Sequence, residues 1–341
     1  MFFVWIEIIK FIKNSLDKDW EWVKVNPRGI LYFANHASVL AALLQRLKLD
    51  NSIDLNTMIW HLDKVNKTVV NQLAKDPWNE DQLVSIMDML QLGSKSDSIY
   101  FNQEAKDKVI NFVQKLDAEK WHWIEKTPDA ITFFSNDVDI LVTLINKIQC
   151  LPFLHHLEFH RSITVLHLLS QAPLSELQMD LVMNFLGKGA EPNHKNIDGK
   201  TFLDLSPIKA RLCQRIETAP DDWCSSIYEV LGNKPEFLEG WINLGSDQIL
   251  SELFKRLTEY SKSSGLRLEN VEPISFARRM WREKSKLQKS FNAFMIWTAN
   301  YHHNDYRIVK SVCNENLRYS EQSENKQDDL ALPFFLAIKE Y

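Results

Sequence analysis

Apolar residues recur at i, i+3, i+4 and i+7 in one segment after another, as at Leu141, Leu144, Ile145 and Ile148, and this period predicts amphipathic helices. The predicted fold class is all-α. Short apolar helix starts stand at Ile30, Val69, Ile99, Ile131, Val165 and Phe202, spaced 30 to 39 residues apart. A helix that is apolar along one stripe needs a neighbour to cover it, so this spacing predicts stacked helix pairs. TVVNQLA with QLVSIMDMLQLG, and SIYFNQEA with KVINFVQKL, supply two such pairs.

One stretch occurs twice. DWEWVKVNPRGILYFAN begins at Asp19 and KWHWIEKTPDAITFFSN at Lys120, 101 residues later. Trp20, Trp22, Pro27, Ile30, Phe33 and Asn35 fall on Trp121, Trp123, Pro128, Ile131, Phe134 and Asn136. The register continues through Val39, Leu40, Leu43 and Leu47 against Ile140, Leu141, Leu144 and Ile148. Three units of about 34 residues fit between the copies. The tryptophans alternate in what read as extended junctions, where a period of two turns one of each pair inward and the other outward.

The clearest single unit runs from Thr164 to Leu205. Thr164-Val165-Leu166-His167 and Thr201-Phe202-Leu203-Asp204 open helices, and Gly189-Ala190-Glu191-Pro192-Asn193 forms a turn after a second helix. A threonine hydroxyl at a helix start can accept a free backbone N–H, and Gly189 can take the left-handed conformation that stops a helix. Asp198-Gly199 suits a tight turn at the tip of a hairpin-like finger. These residues resemble the ankyrin repeat, with its T-P-L-H-x-A opening and G-A-D-x-N turn; Val165 and Phe202 depart from it at the proline position. The resemblance implies an ankyrin-like helical solenoid that binds a protein partner through its finger tips and concave helix face, here with Lys195, Asn196, Asp198 and Lys200 at the tips.

On this reading the chain divides into a capping helix at 1–18, repeats at 19–210, a helical C-terminal region at 211–318 and a polar, mobile tail at 319–341. The apolar N-terminal run MFFVWIEIIKFIKNSL lacks a basic n-region and a cleavage site, carries Glu7 and Lys10, and is too short to cross a bilayer. Within the tail, SEQSENKQDD precedes the apolar LALPFFLAI.

Charge and chemistry narrow the function classes. A net charge of -5 argues against a nucleic-acid partner. Four scattered cysteines with no C-x-x-C pair fit a reducing intracellular compartment. Phosphate-binding, dinucleotide, kinase and hydrolase motifs are missing from the sequence, so no enzyme activity and no cofactor are expected. His155, His156, Glu158 and His160 form the densest group of ligand types, but their order is not that of a helical zinc motif, and no metal is expected. Cys224 follows Asp221 and Asp222, whose carboxylates oppose thiolate formation.

The binding residues this reading selects are Trp20, Trp22, Trp121 and Trp123, the four finger-tip residues, and Arg278 and Arg282 of the basic segment ARRMWREKSKLQK. Abundant Lys, Asn and Ile, degenerate repeats and the polar-then-apolar tail resemble effectors that Legionella-type bacteria secrete into host cells. A membrane-associated adaptor, with the N-terminal helix and the basic segment on one face, is the alternative, as is an enzyme site within 215–318 where Cys224, His302 or His303 meets an acid.

Overall fold

The computed structural model describes residues 2–33, 36–49, 69–94, 99–154, 158–159, 162–171, 174–204, 208–234, 237–264 and 293–294. Arg278, Arg282, Cys313, the histidines at 155, 156, 160, 302 and 303, and the tail 319–341 lie outside the described residues. Those described are mostly helical. They belong to two compact units, Met1–Leu168 and Leu169–Tyr341.

The first unit contains α1 (Phe2–Asn14), α2 (Trp22–Val25), α3 (Ala37–Leu49), α4 (Val69–Leu73), α5 (Glu80–Gln91), α6 (Gln103–Lys115), α7 (Ile131–Phe134) and α8 (Val138–Ile148). A two-residue ribbon, β1 (Glu158–Phe159) with β2 (Ile163–Thr164), pairs antiparallel with Glu158 opposite Thr164. The short helix α9 (Val165–Leu169) spans the division between the units.

Residues 2–49 and 103–148 have the same architecture, and the likeness begins earlier than the tryptophans. Helices α1 and α6 are both 13 residues long and start 101 positions apart, so the N-terminal helix is the first element of a repeated unit. It packs on α3 as α6 packs on α8. The joint is also repeated: Arg46 of α3 donates to the Ser15 carbonyl at 3.1 and 2.9 Å, and Lys147 of α8 donates to the Gln114 carbonyl at 3.1 Å. Each cation satisfies a carbonyl at the C-terminal end of the helix it packs against, α1 or α6, where no intrahelical N–H remains to do so.

Between the paired helices the tryptophan stretches are not extended junctions. They coil as 3-10 turns at Asp17–Trp20, Pro27–Phe33, Ala118–Glu125 and Pro128–Ala130, with α2 and α7 among them. The buried positions explain the difference. Trp20 with Val23, and Trp121 with Ile124, are three residues apart, a spacing that faces one side in a 3-10 turn and opposite sides in a strand. Ile99 likewise starts no helix, because Asn102 accepts the Ala105 N–H at 2.8 Å and caps α6 three residues later.

A second duplication links α4 and α5 to α9 and α10 (Glu176–Gly187), 96 residues apart. Asn79 and Gln82 form a reciprocal cap at the start of α5, and Ser175 and Gln178 do so at the start of α10. The same glutamines also reach backwards. Gln82 donates to the carbonyls of Leu73 and Lys75 at 3.0 and 2.8 Å, and Gln178 to those of Leu169 and Gln171 at 3.0 and 2.9 Å. Both side chains are fully buried. Both helices end alike, with Gly93 and Gly189 in the left-handed region at φ 83° and 87° and the next N–H reaching back to Met89 and Phe185.

In the second unit α10 is followed by α11 (Ile208–Glu217), α12 (Asp221–Asn233), α13 (Phe237–Asn243) and α14 (Asp247–Ser264). Helix α10 packs on α11 and α12, and both of those pack on α14. Trp223 anchors this core, its indole N–H donating to the Met183 carbonyl at 2.7 Å. One ion pair recurs in both units: the first residues of α5, α10 and α12, which are Glu80, Glu176 and Asp221, bind Lys115, Arg211 and Arg256, each 35 positions later. Exposed pairs of this kind add little stability. Their regular separation records neighbouring elements meeting at a constant interval of sequence.

Candidate functional site

The finger-tip residues occupy an ordered projection between α10 and the 3-10 turn Phe202–Asp204. Asn196 shapes it. Its N–H donates to the Lys200 carbonyl at 2.9 Å, its carbonyl accepts from Gly199 at 2.8 Å, and its side-chain oxygen accepts from Asp198 and Lys200, each at 3.0 Å. Ile197 and Asp198 are thus the central residues of the turn, and Gly199 follows in the left-handed region at φ 73°. The turn is centred one residue earlier than Asp198-Gly199 because the Asn196 side chain binds the backbone beyond it.

Lys195, Asp198 and Lys200 are exposed and Asn196 is half-buried. Ile197, which sequence reasoning passed over, stands out at the tip with 67% of its surface in water. The base of the projection is held instead. Pro192 is buried against α13, where a Cβ at Gly240 would lie 3.1 Å from Pro192 and 3.2 Å from the Asn193 side-chain oxygen. A rigid base beneath an exposed tip of mixed charge lowers the ordering cost of binding.

Thr164 and Thr201 open their turns in a common way, though not through the bond expected. The Asp204 carboxylate accepts from both the N–H and the hydroxyl of Thr201, at 2.8 and 2.9 Å. His167 Nδ1 lies 3.3 Å from the Thr164 N–H and 2.8 Å from its hydroxyl. The fourth-position side chain binds back to the threonine, whose hydroxyl donates to Asp204 where a helix-capping acceptor was expected.

The four tryptophans separate by copy. Trp20 is buried and donates to the Ser15 hydroxyl at 2.6 Å, whereas its neighbour Trp22 is exposed and lies over Gly29. Trp121 and Trp123 are both buried, so the inward-outward alternation holds in the first copy and fails in the second. Trp121 stacks edge-on against Phe134 at 5.6 Å, and both indole N–H groups of this pair are buried without an acceptor. Leu116 stands where the first copy has Ser15, which removes the hydroxyl that Trp121 would meet.

The thiol chemistry weighed for Cys224 is opposed by its setting. Burial pushes this thiol up to about 11, Asp221 and Glu259 add to the rise, and Arg256 opposes it. Cys213 is raised as well, chiefly by burial. Among the described residues no group of three His, Cys, Asp or Glu side chains is placed to hold a metal ion. Among them, too, no helix is long and apolar enough to cross a membrane. Comparison with family models, curated proteins and solved structures gives no match to this chain.

Proposed function

We propose that the chain is an ankyrin-like helical solenoid that serves as a protein-binding module, with the projection at Lys195, Asn196, Ile197, Asp198 and Lys200 as its principal contact. The observation that carries this reading is the projection itself, fixed at its base by Pro192 against Gly240 and open at its tip. Support for the array comes from the two duplicated helix arrangements, the threonine-opened turns 37 positions apart, and the ion pairs at a constant separation of 35. Repeats of this kind bury their cores only against neighbours and leave their loops free to bind. The partner in this reading is a protein, and the secreted-effector style of the sequence is what supports looking for it in a host cell.

The test is a quantitative pull-down from host-cell lysate with the full chain and with a triple tip variant, Lys195→Glu, Ile197→Ser and Lys200→Glu. None of the three side chains is buried, so the melting temperature is expected to stay within about 2 °C of the parent. A specific partner held by the parent and lost from the folded variant supports the reading. An unchanged set of bound proteins would remove the projection from it.

A further inference from the structure

The duplication of residues 2–49 and 103–148 provides an internal template for what one exposed face of the first copy binds. Three aromatic positions correspond, 101 residues apart: Phe11 with Phe112, Trp22 with Trp123, and Tyr32 with Phe133. In the second copy these are 8%, 9% and 1% exposed; in the first they are 64%, 39% and 88%. The backbone unit is the same, so the difference lies in what covers it.

The cover of the second copy is visible. Phe101 meets the Phe133 ring edge-on at 5.7 Å and is itself backed by Trp78 at 5.3 Å. Helix α5 packs on α6, where Lys108 reaches the Pro77 carbonyl and Lys115 reaches Glu80. Lys108, Phe112 and Lys115 lie on one side of α6 by helical spacing, so Phe112 faces α5. On α1 the same side carries Glu7, Phe11 and Asn14, all exposed.

We propose that the face bearing Phe11 and Tyr32 docks an amphipathic helix of a partner protein that also presents an aromatic ring, standing to α1 and Tyr32 as α5 and Phe101 stand to α6 and Phe133. The partner is a different protein and not a second copy, because the helices of this chain that match the docking element, α5 and α10, are already packed within it, α5 on α3 and α6 and α10 on α11 and α12. Its helix start is not acidic. The lysines that hold Glu80 and Pro77 in the second copy are replaced by Asn14 and by Glu7, which Lys10 pairs at 2.8 Å, so no cation stands where Lys115 holds Glu80 and a residue that is not acidic suits this rim.

This inference rests on the reading of the chain as an interaction module but uses a separate surface. The probe is a fluorescently labelled peptide of residues 77–102, containing α5 and Phe101, with Glu80→Lys to suit the rim, titrated into the full chain and followed by anisotropy. The expected result is saturable binding that weakens about tenfold or more in Phe11→Asp and in Tyr32→Ser and is unchanged in the triple tip variant. Tyr32→Ser keeps the test valid if the helix variant folds poorly, since Tyr32 is almost wholly in water. Absence of binding, or binding that both variants retain, overturns the proposal and leaves the tip reading standing. A parent chain that is dimeric by light scattering and made monomeric by Phe11→Asp overturns it in favour of a second copy. Tighter peptide binding after Phe334→Ser and Phe335→Ser overturns it in favour of the chain's own C-terminal segment.

Discussion

The two tryptophan-bearing arrangements and the two glutamine-clamped helix pairs differ in how far their copies share surroundings and bonds. Residues 2–49 and 103–148 keep the large rings of Phe11, Trp20, Trp22 and Phe33 and change their surroundings, so that Trp22 is exposed where Trp123 is buried. The pairs α4–α5 and α9–α10 keep their bonds, with Gln82 and Gln178 contacting the same carbonyls across 96 residues of separation, and keep Glu80, Met87, Leu90 and Gly93 as Glu176, Met183, Leu186 and Gly189. Side-chain identity is retained where a bulky ring fills a core. Bond geometry is retained where a buried loop must have its backbone satisfied, whatever residues make the loop.

The largest effect that could break this comparison is expected in the second tryptophan copy. Trp121→Ala removes a fully buried ring packed on Phe134 and is expected to cost about 3 to 5 kcal/mol. Trp22→Ala, at the exposed position of the first copy, is expected to cost about 1 kcal/mol or less. Urea denaturation of the two variants measures the difference. Equal losses would mean that Trp22 is as deeply packed in solution as Trp121, and the difference in exposure between the two copies would not exist.

A smaller and symmetrical effect is expected from the glutamines. Gln82→Leu and Gln178→Leu keep side-chain bulk but leave two carbonyls and one cap N–H without partners, at an expected cost of about 2 to 4 kcal/mol in either place. The two losses should agree within about 1 kcal/mol when each is read from its own transition. If one glutamine proves dispensable, the shared bonds are a coincidence of local geometry and not a conserved clamp.

The sequence made the tryptophan duplication legible because identical large residues at a fixed offset are visible in letters. The glutamine duplication was harder to see. Asn79 and Ser175 cap equally well with different letters, and Trp78 and Leu174 share only a left-handed backbone, at φ 53° and 58°, although Glu80, Gln82, Met87, Leu90 and Gly93 recur as Glu176, Gln178, Met183, Leu186 and Gly189 at an offset of 96. That offset was one available signal and the pattern N-x-x-Q against S-x-x-Q another, since a glutamine three residues after a capping residue reads as a reciprocal cap. Some helix positions followed from apolar period alone, as at α8, whereas Ile30 and Phe202 lie in 3-10 turns and Ile99 in no helix. The tryptophan turns did not, because a period of two and a period of three differ by one residue over so short a span, and only Val23 and Ile124 decide between them. The partner-facing role of Phe11 and Tyr32 was invisible to periodicity, since it depends on what covers the same positions in the other copy.

The smallest effect concerns the second unit, where thiol chemistry tests how closed the α12 core is. Cys224 is buried, and its thiol is raised from 9.0 to about 11, first by that burial. A reagent that attacks thiolate should modify Cys224 on the order of a hundredfold more slowly in the folded chain than in urea at pH 8, from thiolate content alone. A Cys150→Ser, Cys313→Ser background removes the exposed thiol at 150 and the one outside the described residues, leaving Cys213 and Cys224 to be read by mass spectrometry. The same shift has a sign in stability. Folding favours the neutral thiol, so the contribution is complete below pH 9.0 and is lost as pH rises towards 11, where the unfolded chain releases its proton first. Cys224→Ala is therefore expected to flatten the fall in stability across that alkaline window relative to the parent. Rapid modification of Cys224 at pH 8, or an alkaline profile that the substitution leaves unchanged, would show that α12 opens readily and that the second unit is looser than its buried Trp223 and Tyr228 imply.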